Sequence, residues 1–69
     1  ELENALAGVD NNLGNALQNL GRLDDAVEAY GRAREVYGRL VASGRTELVN
    51  DVAGVDNNLG NALQNLGRL

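Results

Sequence analysis

The chain has no cysteine and no histidine. The first absence excludes a disulfide framework and a thiolate metal site. The second removes the usual zinc ligand and the usual general base near neutral pH. Proline, methionine, tryptophan, phenylalanine, lysine and isoleucine are missing too, which leaves Tyr30 and Tyr37 as the whole aromatic content. No apolar run approaches the roughly 20 residues of a membrane span, and there is no signal-peptide core. Basic charge is scarce: six arginines (Arg22, Arg32, Arg34, Arg39, Arg45 and Arg68) stand scattered against ten acidic residues, for a net charge of −4. That is the wrong sign for a nucleic-acid or anionic-membrane surface, which needs a concentrated basic patch. Mild acidity of this kind reads as simple solubility. A soluble chain is expected, with its compartment left open.

What is present is a repeat. Residues 7–23 and 53–69 are identical over 17 positions, 46 residues apart, as Asp10 and Asp56 show. A fixed internal period of this size points to a repeat architecture. The 69 residues hold one unit and half of a second. A chain this short buries only about 60% of its unfolded surface, so a core built alone is marginal. The first residue is Glu1 rather than Met, and a fragment or processed piece of something longer is expected. Near-identity of the copies fits recent duplication or deliberate design.

The first segment, about residues 2–20, carries Leu2, Leu6, Val9, Leu13, Ala16, Leu17 and Leu20 at steps of three and four, one face of a helix. Gly21 is a natural stop. The second segment, about 24–42, opens on Asp24 and Asp25, both suited to a helix N-terminus. Its stripe is Ala26, Ala29, Tyr30, Ala33, Val36, Tyr37, Leu40 and Val41. Gly44 then serves as a C-cap and Thr46 as an N-cap. The third segment, about 47–66, repeats the first with Leu48, Val52, Val55, Leu59, Ala62, Leu63 and Leu66. Three antiparallel helices joined by short connections are predicted, with no strand, as a single unit over residues 1–69.

Several residues match a family pattern in register. Leu13 and Gly14 are followed by Leu17, then Gly21, Ala26, Tyr30 and Ala33; Leu59, Gly60 and Leu63 fill the first places again. This resembles the tetratricopeptide repeat. The resemblance implies an all-α, solenoid-like stack of helix–turn–helix units, about one and a half of them here. The departures are Asp10 at the family's Trp-like position, Gly38 at its closing proline, and a unit of 46 residues against the usual 34 or so. Longer helices are the expected consequence. The resemblance further implies a non-enzymatic interaction scaffold, with a protein or peptide as partner and no cofactor.

Ten asparagines all lie in the first and third segments. Asn is a mediocre helix former, so this enrichment is not explained by propensity. Asn11, Asn15, Gln18 and Asn19, with Asn57, Asn61, Gln64 and Asn65, lie off the apolar stripe at helical spacing. In the family that side lines a groove, and an amide ladder there offers donors and acceptors to a peptide backbone. Asn15 and Asn61 also match the asparagine with which chaperone-binding members hold a terminal carboxylate. Those members carry a basic residue one turn earlier, where this chain has Asn11 and Asn57, so no carboxylate clamp is expected.

Tyr30 and Tyr37 are expected in the core with their hydroxyls at its edge. Gly31 and Gly38 lie inside the second helix at about 1 kcal/mol each relative to Ala, either tolerated on an exposed face or serving close approach of another chain. The stretch 10–14 lacks the spacing and terminal Glu of a calcium loop. Nothing gathers Asp10, Asp24 and Asp25 into a catalytic pair, and no metal ligand set is found. The half-integer repeat leaves helix faces without partners. Val52, Leu59, Leu63 and Leu66 are expected to present apolar surface, favouring a homo-oligomer or a swapped dimer. This self-assembly is the alternative to the scaffold.

Overall fold

A computed structural model describes residues 2–67. Glu1, with Arg68 and Leu69 of the second copy, lies outside the described residues. The architecture is all-α: α1 (Leu2–Asn19), α2 (Leu23–Ala42), a short 3-10 turn (Thr46–Leu48) and α3 (Val49–Asn65). The Cα envelope is 35 × 22 × 13 Å. α2 lies between α1 and α3 and packs on both.

Gly21 and Gly44 end α1 and α2 by the same device. Each has positive φ, +79° and +111°, a conformation that a Cβ resists. The Gly21 N–H donates to the Gln18 carbonyl and the Arg22 N–H to Leu17; Gly44 and Arg45 repeat this with Val41 and Leu40. These bonds satisfy last-turn carbonyls left open by the helix. α2 begins at Leu23, with Arg22 at its N-cap. Asp24 and Asp25 therefore sit in the first turn rather than at the cap, where their carboxylates still face the positive end of the helix dipole. Thr46 opens the 3-10 turn, and the cap position of α3 falls to Leu48.

Most of the buried residues belong to α2: Ala26, Ala29, Tyr30, Ala33, Tyr37 and Leu40. The largest is Tyr30, with no exposed surface. Its ring lies against Gly14 so closely that a Cβ built there would fall 2.5, 2.6 and 2.9 Å from three ring atoms. Only glycine lets the ring seat. Truncating a buried aromatic of this size typically costs about 3–5 kcal/mol, so the seating of this ring matters to the packing of α1 on α2. The Tyr37 hydroxyl reaches the other end of α1, 3.5 Å from a Cβ placed on Gly8.

The two copies of the repeated segment pack against α2 with different sides. The second copy presents Leu48 of the 3-10 turn with Val55 and Ala62 of α3, which are buried, and Val52 and Leu59 pack against them. α1 presents Ala7 and Gly14, which are buried, with Leu17 alongside. The same residue types thus meet opposite fates. Leu2 and Val9 of α1 are 71% and 61% exposed, while their equivalents Leu48 and Val55 are 5% and 1% exposed. Leu13 and Leu20, expected to fill the core, are exposed as well. The physical reason is that α1 has α2 on one side only. The side it would turn toward a preceding helix faces solvent.

Gly14 and Gly60 are equivalent in sequence, yet nothing lies within 4 Å of a Cβ at Gly60. Both substitutions to Ala gain the same helix propensity, roughly 1 kcal/mol, so their difference isolates the clash with Tyr30. Gly60→Ala is expected to stabilise the chain, and Gly14→Ala to fall below it by about 1–3 kcal/mol, the usual cost of overpacking. Urea unfolding followed by circular dichroism measures this; equal midpoints for the two variants contradict it.

Candidate interaction faces

The amide side chains of α1 divide into those used inside the fold and those facing solvent. The Tyr30 hydroxyl donates to Asn15 Oδ1 at 2.6 Å and also approaches Gln18 Oε1 at 3.1 Å. The hydroxyl at the core edge is thus satisfied, as a buried phenol requires. The Asn58 amide donates to Asn11 Oδ1 at 3.1 Å. This bond links α1 directly to α3, two helices that otherwise barely touch. Asn15, Asn19, Asn57, Asn61, Gln64 and Asn65 are exposed; Asn11 and Gln18 are half-buried.

Asn58 was outside the amide set read from the sequence. Its direction is set by how α3 turns its own apolar stripe toward α2, which the helical period alone does not give. Among the described residues, Asn61 and Gln64 make no side-chain hydrogen bond, whereas their equivalents Asn15 and Gln18 accept from Tyr30.

Charge follows the same two-sided logic. Asp10 pairs with Arg32 at 3.3 Å, joining α1 to one flank of α2. Its repeat equivalent Asp56 pairs with Arg34, joining α3 to the other flank. The residue at the family's Trp-like position is therefore an ion-pair partner. Arg39 approaches Glu3 at 3.9 Å, and Arg22 pairs with Asp25 at 2.7 Å. Such exposed pairs contribute little energy, about 0–1 kcal/mol each. Asp10, Asp24 and Asp25 are not gathered into one site. No group of three acidic residues suited to a metal occurs among the described residues, and no helix of the described residues is long and apolar enough to cross a membrane.

The residues expected to form an open apolar edge on α3 are placed differently. Val52 and Leu59 pack against the core shared with α2. Leu66 lines a cleft of about 370 Å³ at the α1–α2 turn, with Leu23. Leu63 is half-buried. The widely exposed large apolar residues among those described are instead Leu2, Leu6, Val9 and Leu13 of α1 and Leu20 just past its end, with Val49. A second groove, about 340 Å³, runs between α2 and α3, walled by Val41, Val49, Val52 and Ala53 and floored by Gly38. Nothing lies within 4 Å of a Cβ at Gly31 or Gly38.

Burial raises the pKa of both tyrosines, and the negative charge of Asp51 raises Tyr37 further. The fold therefore prefers the neutral phenols. Their contribution is complete below the unfolded tyrosine value of about 10 and is lost as pH rises through the higher folded values. Thermal unfolding should give a level Tm from about pH 7 to 9 and a decline above about pH 10, made shallower by Tyr30→Phe. A Tm that holds steady beyond that range in the unmodified chain contradicts the assignment.

Comparison with known proteins agrees with this geometry. The family model described as "Tetratricopeptide repeat" matches residues 11–44, from the middle of α1 through the end of α2. No curated protein and no solved structure matches the chain. The matched stretch contains the whole Gly14–Tyr30 contact on which the helix pair is built, and over residues 11–44 the chain is a tetratricopeptide repeat.

Proposed function

We propose that the chain is a protein-interaction scaffold whose α1–α3 side receives an extended peptide segment. The family generally mediates protein–protein interaction rather than catalysis. The observation that carries the finer reading is the Asn11–Asn58 bond. It joins α1 to α3, and the exposed amides of the two helices, Asn15, Asn19, Asn57, Asn61, Gln64 and Asn65, are the groups proposed to meet the peptide. Each amide offers both donors and an acceptor, which suits a peptide backbone and is indifferent to the peptide's charge. Asn11, Asn15 and Gln18 have their oxygens engaged within the fold, so in this reading Asn11 and Gln18 mainly hold the surface together and Asn15 offers only its amide N–H groups.

A second reading is self-association, supported by the exposed apolar stripe of α1. Exchange of α1 and α3 between chains is weakly driven. α2 has two sides, both already covered, and a swap leaves as many uncovered faces as before. Direct contact between α1 stripes is the stronger form of this reading, since it removes apolar surface from water at about 25 cal/mol per Å².

Two measurements separate the readings. Screening the chain against an array of extended peptides is expected to give binders that Asn61→Ala with Asn65→Ala weakens about tenfold, two modest hydrogen bonds' worth. These residues make no internal side-chain bond among the described residues, so the double variant keeps its fold. Peptides that bind both forms equally, or no binder at all, exclude the amide face. Light scattering across a hundredfold dilution should show association that Val9→Glu abolishes if the α1 stripe pairs; a monomer throughout excludes self-association.

A further inference from the structure

The two tyrosines of α2 end differently on α1. The Tyr30 hydroxyl donates to Asn15 and approaches Gln18. Tyr37 stands seven residues further along α2, and seven residues earlier in α1 the corresponding places hold Gly8 and Asn11. The Tyr37 hydroxyl comes to Gly8, 3.5 Å from where a Cβ would be, and the Asn11 oxygen is already taken by Asn58. Tyr37 is only 6% exposed, yet its hydroxyl makes no hydrogen bond among the described residues. No fully buried polar side-chain atom among those residues lacks a partner, so this hydroxyl opens to the surface at the edge of the core.

It opens beside an acid. Gly8 and Asn11 are one turn apart on α1, and Asp51 and Asn58 two turns apart on α3, so all four belong to the side joined by the Asn11–Asn58 bond. Asp51 lies in the first turn of α3 and is exposed. It has no arginine partner among the described residues, whereas Glu3, Asp10, Glu47 and Asp56 each have one. Its charge is felt at the Tyr37 phenol, whose pKa it raises. Residues 1–23 and 47–69 differ at three positions, and at one of them Asp51 stands where the first copy has Ala5. The charge is thus particular to α3 and not a property of the repeat.

We propose that the Tyr37 hydroxyl, Gly8 and Asp51 form a subsite for a basic residue of the bound peptide: the hydroxyl donates to a backbone carbonyl lying over Gly8, and Asp51 pairs with the arginine or lysine side chain. This rests on the peptide reading above and names the class of peptide taken. A glycine lets another backbone come close to the helix. A neutral phenol offers one donor, and a carbonyl is the acceptor that suits it, since a carboxylate would meet the like charge of Asp51. The amides of the same surface are blind to charge; Asp51 is not.

The test uses the full chain and an array of labelled extended peptides, each made with arginine and again with glutamine at one central position, read by fluorescence anisotropy. Binders are expected to prefer arginine by about threefold to fivefold at low salt, the worth of one exposed ion pair. The preference should shrink as salt is added, and Asp51→Ala should abolish it. Tyr37→Phe should weaken both members of a pair about fivefold, one hydrogen bond's worth. This variant keeps the ring in the core and removes a hydroxyl that bonds nothing among the described residues. Gly8→Asn should weaken both members too, because it gives Tyr37 the acceptor that Asn15 gives Tyr30. Equal binding of arginine and glutamine peptides, a preference that survives Asp51→Ala, or affinity unchanged by Tyr37→Phe overturns the inference. Peptides weakened by Asn61→Ala with Asn65→Ala, yet untouched by Tyr37→Phe and Asp51→Ala, overturn it alone and leave the amide face standing. The reverse pattern supports the subsite and excludes the amide face, and the absence of any binder overturns both.

Discussion

The structure depends on one aromatic ring lying on one bare stretch of helix. Tyr30 is the largest fully buried side chain, and it reaches that state only because Gly14 lacks a Cβ. Its hydroxyl ends on Asn15 and Gln18, so the ring loses water on every side without stranding a polar atom. In a chain with two aromatics and no disulfide, this contact and the alanines around it let α1 and α2 approach closely enough to bury a core. A helix pair of this size has little other means of offsetting its conformational entropy.

The packing of α2 on both α1 and α3 then gives each helix a distinct role. α2 is covered on both sides and holds most of the core. α1 and α3 are each covered on one side, and each displays the surface that the other uses. This is how stacked repeats distribute stability, as a sum of units and nearest-neighbour contacts. It also ties stability to interaction: the faces that stack one unit on the next are the faces that a partner can use. The functional reading is thus a matter of which uncovered side is filled, by what, and at what cost in displaced water.

Much of this was legible in the sequence. The 46-residue period, the helical spacing of the apolar residues and the glycines at 21 and 44 led to an all-α repeat with one and a half units, and the register of Leu13, Gly14, Ala26, Tyr30 and Ala33 led to the family. The division of the α1 stripe was not read. Leu13 and Leu20 lie on an apolar face, and periodicity says that such a face is buried without saying which neighbour buries it. The fate of Asp10 and Asp56 was missed for a related reason. An ion pair with Arg32 or Arg34 depends on the relative rotation of two helices, about which one helix's sequence is silent. Asn58 was passed over because its role belongs to the contact between α1 and α3, which arises only after both have packed on α2. The identical copies held a usable signal: one sequence serving two environments must have two working sides.

The central claim is that the two copies of an identical segment pack differently because one of them holds the Tyr30 ring. Proton NMR tests this most directly, since Gly14 and Gly60 share their local sequence and differ only in what lies above them. The account predicts strong nuclear Overhauser contacts from the Tyr30 ring protons to the α-protons of Gly14, together with a ring-current shift of those protons relative to Gly60. Matching α-proton shifts at the two glycines, or ring contacts to Gly60 within a monomer, would contradict it.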